Sequence, residues 1–303
     1  MDPASSFAEG RATCIDPVLF PPRIVAGMRP AAKVTLLDYY GPVGQLIDLH
    51  HQYPGQAFVV IADYQGLSRD AQSGSLHSAA LILAATYLAV GLDPQKAILY
   101  RQSDVPEILE LAWIAFCLTR MESTEPAGNP RVAAVAAIDQ GATVGMFLAA
   151  ANILSVRGTL VPILPNQQNE IAMAGNIART FNSICKRDLF PIPDPQSMVL
   201  SEVQPLENVA PVDATRFVTE CTPLDSFGTL LNSTHALPSM ADPSFATMLA
   251  TQIYNSDFRR AFQDLIRSQK ESGQVEEILR DGAIRARAEA GETLEEVKAM
   301  IGL

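Results

Sequence analysis

The stretch Lys33-Val34-Thr35-Leu36-Leu37-Asp38-Tyr39-Tyr40-Gly41 lies between a strand-like run, Ile24-Val25-Ala26-Gly27, and a helix-like one, GQLIDLHHQY, over 44–53. A strand–turn–helix junction of an α/β protein is where backbone N–H groups and a helix N-terminus gather a phosphate. That requires small residues, so that backbone can come close to the ligand. This junction instead carries two leucines, an aspartate and two tyrosines. Asp38 has the chemistry of a general base or a cation ligand, or of a cap on the next helix. Thr35 and Tyr39 are the other polar side chains a ligand would meet there. Tyr39 and Tyr40 also suit a core or an interface.

Other reactive residue types are scattered. Cys14, Cys117, Cys185 and Cys221 form no C-x-x-C pair and read as thiols of a reducing compartment, not a disulfide frame or zinc site. His50 and His51 are expected solvated or at a helix end, and His77 and His235 stand apart, so no metal centre is expected. Trp113 falls on the apolar face of its helix and is expected in the core.

A sheet must position that junction, and the patterning supplies one. AFVVIADY (57–64) is a continuous apolar run, as in a strand buried on both faces. Helical spacing over 75–90 follows, then a strand at 97–103 and a helix at 105–120. A small-residue helix at 141–154, a strand at 159–164 and a helix from Asn169 to Phe181 continue the alternation. The order predicts an α/β fold, a Rossmann-like doubly wound parallel sheet with its ligand crevice at the strand C-termini. The texture changes from about 190 to 245, rich in Pro, Ser, Thr and Asp, and helices are predicted at 245–270, 274–289 and 293–301. The expected domains are an irregular lead-in over 1–22, the Rossmann-like domain over 23–205 and a smaller, mainly helical domain over 206–303.

Composition narrows the partners. The 303-residue chain is 48% hydrophobic and 18% charged, as in a compact globular protein. Its formal net charge is −11 and it holds five lysines. Nucleic-acid binders draw affinity from Lys and Arg releasing counterions, so DNA and tRNA are both unexpected. The longest apolar stretch, 79–92, is too short to span a bilayer, and MDPASSFAEGRA lacks the apolar centre of a secretory leader. A cytoplasmic protein without membrane attachment is expected.

Several segments, in order, resemble tryptophanyl-tRNA synthetase, a class I synthetase: GMRPAAKVTLLDYYG, VVIADYQGLS, YLAVGLDPQKAILYRQSDVPE, LAAANIL, LVPILPNQQNE, NIARTFN and the tail ILRDGAIRARAEAGETLEEVKAMIGL. The resemblance covers roughly 24–190 and 250–303. It implies the Rossmann-like fold and a symmetric homodimer, although the family's interface run is replaced here by MESTEPAGNP.

Where that family writes T-G-x-L-H-L-G-[HN], this chain has Ala31 to Asp38. Thr35 takes the histidine position, Leu37 the glycine and Asp38 the final polar residue. A carboxylate facing a triphosphate is repelled in a partly desolvated site, and Leu37 fills space the nucleotide needs. No lysine occurs between Lys186 and Lys270, where the family's K-M-S-K-S would fall. G-E-D-Q-x-x-H reads Leu164, Pro165, Asn166, Gln167, Gln168, Asn169, Glu170. ATP is therefore not expected, and no other cofactor is predicted.

The resemblance also implies an amino-acid pocket. Asn152 takes the position of the aspartate that recognises the indole N–H. Gly145 and Ala149, seven and three residues earlier on one helix face, replace a tyrosine and a methionine. Gln65 stands where the family has a histidine, Asp63 is kept, and Gln167 keeps the position that meets the amino group. Asn166, Gln167, Gln65 and Asn152 are expected ligand contacts. Glu170 is either a first-turn residue favoured by the helix dipole or, facing Asp38, half of a carboxylate pair for acid/base work.

Three functions fit. One is an ATP-independent enzyme acting on an amino acid or an amino-acid-derived metabolite. Another is a non-catalytic amino-acid-binding regulator or partner protein. The third is a transferase taking charged tRNA as acyl donor, with Arg259, Arg260 and Arg267 as a local basic patch.

Overall fold

Apolar runs four or five residues long form the centre of the protein. In the computed structural model, residues 20–30, 42–70, 75–119, 140–163, 168–197 and 258–303 are described. Thr35, Asp38, Tyr39, Asn166 and Gln167 lie outside them. So do the whole turn 31–41 and the region 198–257.

The strands are β1 (Ile24–Met28), β2 (Ala57–Ile61), β3 (Ala97–Arg101), β4 (Leu160–Ile163) and β5 (Asp194–Ser197). The helices are α1 (Gly44–Gln52), α2 (Asp63–Asp70), α3 (Ser75–Ala89), α4 (Pro106–Leu118), α5 (Gln140–Leu154), α6 (Gln168–Cys185), α7 (Phe258–Ser272) and α8 (Gln274–Ile301). The strands pair in parallel in the order β3-β2-β1-β4-β5, a Rossmann-like doubly wound sheet.

Strand alternation divides the core in two. Val25, Phe58, Val60, Ile98 and Tyr100 pack on one face with α4, α5 and α6. Ile24, Val59, Ile61 and Leu99 pack on the other with α1 and α3. Such strands must be apolar at every position, which is why AFVVI reads as an unbroken run.

Helix α8 is one continuous element where two helices were predicted, at 274–289 and 293–301. Its Val275 and Leu279 join one core, and its Ala283, Ala286, Ala290, Leu294 and Val297 join the other, so it runs past edge strand β3. Gly282 makes that approach possible, since a Cβ there would stand 1.9 Å from Leu99 O. Arg285 Nη1 donates to Pro94 O and Ala97 O, both at 3.1 Å. The C-terminal helix thus shares the core of the sheet.

Two further differences from the sequence reading are local. The run 57–64 is strand only to Ile61, and Asp63 opens helix α2. The short strand β5, DPQS, has no apolar run to announce it.

A crevice at the switch point

The strand order reverses between β1 and β4, where doubly wound sheets leave a crevice at the strand C-termini. Here the two strands part almost at once. β1 matches β2 over five register pairs but meets β4 only at Ile24 opposite Leu160. Leu160 N–H donates to Arg23 O at 3.0 Å. Two residues on, the backbone nitrogen pointing the same way belongs to Pro162, which has no hydrogen to give.

The opening is a cavity of about 50 Å³ bordered by Gly27, Ala62, Pro162 and the polar side chains of Gln65, Asn152 and Glu170. Ala149 lines it too, one turn before Asn152 on α5. Gly145, a further turn back, has space beside it: a Cβ there would meet nothing within 4 Å. Gln65 Nε2 donates to Gly145 O at 3.3 Å, which joins α2 to α5 across the crevice. Glu170 sits in the first turn of α6, where the helix dipole favours a carboxylate. No described side chain pairs with it. Of the residues predicted for the site, Gln65, Ala149, Asn152 and Glu170 therefore share one cavity.

Asp63 does something else. Its Oδ1 accepts the Ser103 and Tyr64 N–H groups, both at 3.0 Å, and its Oδ2 accepts the Ser103 hydroxyl. Asp63, expected as a ligand contact, is thus bound up in a clamp between the C-terminal ends of β2 and β3 and is not among the residues that border the cavity. The turn it holds, Gln102–Asp104, is held from the other side by Arg101, which donates to Asp104 at 2.7 Å and to Glu276 of α8 at 2.6 Å. Gln102, on that turn, is fully buried and donates from Nε2 to Asn152 Oδ1 at 2.9 Å. Neither Gln102 nor Ser103 was singled out from the sequence. The signal was present: polar residues directly after a buried parallel strand stand at the crevice end of the sheet.

Of three residues outside the crevice, Trp113 departs from expectation. His50 lies in the last turn of α1, one of its two expected places, and is buried there, with Nδ1 meeting no partner among the described residues and Nε2 accepting the Asp93 N–H at 3.4 Å. Burial, helped by His51, holds its pKa below the ordinary value. Trp113 is 65% exposed, not core. It stacks on Phe116 at 6.0 Å, and Phe116 meets Phe147 edge-on at 5.1 Å. Burial also pushes the Cys185 thiol up, with Arg187 pulling the other way, the reverse of an activated nucleophile. Among the described residues no cluster of His, Cys, Asp and Glu could hold a metal, and no helix is long and apolar enough to cross a membrane.

The tryptophan–tRNA ligase of Bordetella pertussis is 34% identical over 182 residues, covering 57% of this chain and 40% of that protein. The chain thus spans about two fifths of the length of that relative. The Fusobacterium nucleatum tryptophan–tRNA ligase is 26% identical and covers 93% of this chain and 98% of its own. The crystal structure of Campylobacter jejuni tryptophanyl-tRNA synthetase superposes with a TM-score of 0.67 at 21% identity, over 93% of this chain and all of that one, which shows the same fold. Residues 20–206 match the class I tRNA synthetases for W and Y, and the chain belongs to that family.

Proposed function

We propose that this protein is a tryptophanyl-tRNA-synthetase-like enzyme that acts on an amino acid or an amino-acid-derived metabolite without ATP. The observation that carries the reading is the lining of the crevice. Its one charged described side chain is the carboxylate of Glu170, and no described Lys or Arg borders it. A triphosphate is held by cations and open backbone, whereas a carboxylate with no described partner, beside two amides, suits an ammonium group and neutral polar atoms. The sequence supports the same reading through Thr35, Leu37 and Asp38, and through the lack of lysine between Lys186 and Lys270. Asp38 and Glu170 are the proposed acid/base pair, with Thr35, Tyr39, Asn166 and Gln167 completing the ligand contacts. The proposed setting is a cytoplasmic homodimer.

The rival is the activity printed for the relatives, joining tryptophan to tRNA, and the match along nearly the full length of the Fusobacterium ligase favours it. Amino-acid-dependent ATP–pyrophosphate exchange decides between them. No exchange above background, with an amino acid still bound in titration calorimetry, is the expected result. Measurable exchange with tryptophan would overturn the proposal. Binding of an amino acid with no turnover of any amine or amino-acid substrate would leave the regulator reading.

A further inference from the structure

Gln102 is 0% exposed and its Oε1 meets no hydrogen-bond donor among the described residues, while its Nε2 donates to Asn152 Oδ1. Two facing amides can be turned over together without moving a heavy atom, so the sense of this bond needs a physical argument. Turned over, Gln102 would bury an NH₂ group with both hydrogens unmet. As it stands, it buries one carbonyl oxygen. Orphaned N–H groups are the rarer of the two in folded proteins, because a carbonyl tolerates under-satisfaction better. The clamp by Asp63 on Ser103 and the Arg101–Asp104 pair fix the turn that carries Gln102, so its side chain cannot follow a ligand.

Asn152 borders the cavity with one lone pair of its oxygen taken by Gln102. The group that meets no described partner and is open to a ligand is Nδ2, a hydrogen-bond donor. We infer that Gln102 is a positioning residue that makes this wall of the crevice a donor. The crevice then selects a ligand carrying an acceptor at that depth, an oxygen or an unprotonated ring nitrogen, over one presenting a ring N–H. This inference rests on the amino-acid reading of the crevice and names the substrate class within it. An N–H pointed at Asn152 Nδ2 would set donor against donor, and an unpaired polar group in a buried site discriminates strongly.

The test is titration calorimetry on the full chain with two probes of one shape. They are L-tryptophan, which presents a ring N–H, and its benzofuran isostere, which presents a ring oxygen in the same place. The isostere is expected to bind the unaltered protein about tenfold or more tightly than tryptophan. Asn152→Asp, which offers only acceptors, is expected to reverse that preference. Gln102→Met keeps the volume but frees the Asn152 amide to turn, and the preference should fall to about threefold or less while total affinity changes little. That loss of discrimination is a readout that a purely structural role for Gln102 would not move. If Gln102→Met fails to fold, the Asn152→Asp reversal still decides.

Equal affinity, a preference for tryptophan in the unaltered protein, or an Asn152→Asp variant that still prefers the isostere would each overturn the inference. A preference for tryptophan would leave the amino-acid reading standing. Binding of neither probe would overturn the inference, and the amino-acid reading would fall only if no other amino acid or amine binds either.

Discussion

At the scale of single residues, the polar groups near the crevice separate into those that face it and those that hold it. Asp63 belongs to the second kind, because both carboxylate oxygens are engaged by Ser103 and Tyr64. Asp63→Ala leaves those N–H groups without their acceptor, at a cost of about 1–3 kcal/mol. A lowered urea midpoint is the expected outcome. A variant of unchanged stability that has lost only ligand affinity would restore Asp63 to the ligand. His50 gives a pH signature. Its folded-state pKa lies below the ordinary value through burial and the charges of His51 and Lys96, with Asp93 opposing. As pH falls, the unfolded chain takes up this proton first, so the stability contributed by neutral His50 is present above the unfolded pKa of about 6.5 and is lost below it. His50→Gln should show a shallower loss of stability than the unaltered protein between about pH 7.5 and 5.5. Parallel curves would show that His50 contributes none of the slope.

At the scale of elements, the decisive packing is α8 against β3. A methyl at Gly282 would stand 1.9 Å from Leu99 O, so Gly282→Ala must lift the helix off the strand. A loss of several kcal/mol is expected, at the upper end of point-mutant effects, about 4 kcal/mol or more. Gly291 is the control. It lies in the same helix with nothing within 4 Å of its Cβ position, and Gly291→Ala should be neutral or stabilise by up to about 1 kcal/mol. If both substitutions behave alike in thermal denaturation, close approach is not the reason for Gly282. In the same helix, tertiary packing prevails over local pattern. AFVVI and AILYR announce buried strands because burial on both faces demands an apolar residue at each position. The crevice position follows from the strand order, and Gln65, Asn152 and Glu170 were legible as its polar lining. The gap expected between helices at 289 and 293 is overridden by tertiary packing, and nothing in DPQS marks a strand that exists only by pairing with β4. The Gln102–Asn152 bond joins residues fifty positions apart, so no local pattern could reveal it.

At the scale of the whole molecule, the proposed homodimer needs a surface, and α4 and α5 present one. Trp113 is 65% exposed, Phe116 42% and Leu109 36% on α4, and Val144 is 49% exposed on α5. Scattered apolar residues on a surface are ordinary, but a stacked Trp113–Phe116 pair continuous with a neighbouring helix is the kind of contiguous patch that marks an interface. A two-fold dimer would bury the same patch on both copies, so one substitution is felt twice. The net charge of −11 opposes association of two copies, and apolar area must outweigh that repulsion. Trp113→Glu removes an aromatic anchor and adds two carboxylates per dimer, which should shift the protein to monomer in sedimentation velocity at micromolar concentration. The fold should survive, because most of the Trp113 side chain is not in the core. An unaltered protein that sediments as a monomer would refute the dimer. A dimer indifferent to Trp113→Glu would move the interface to another face.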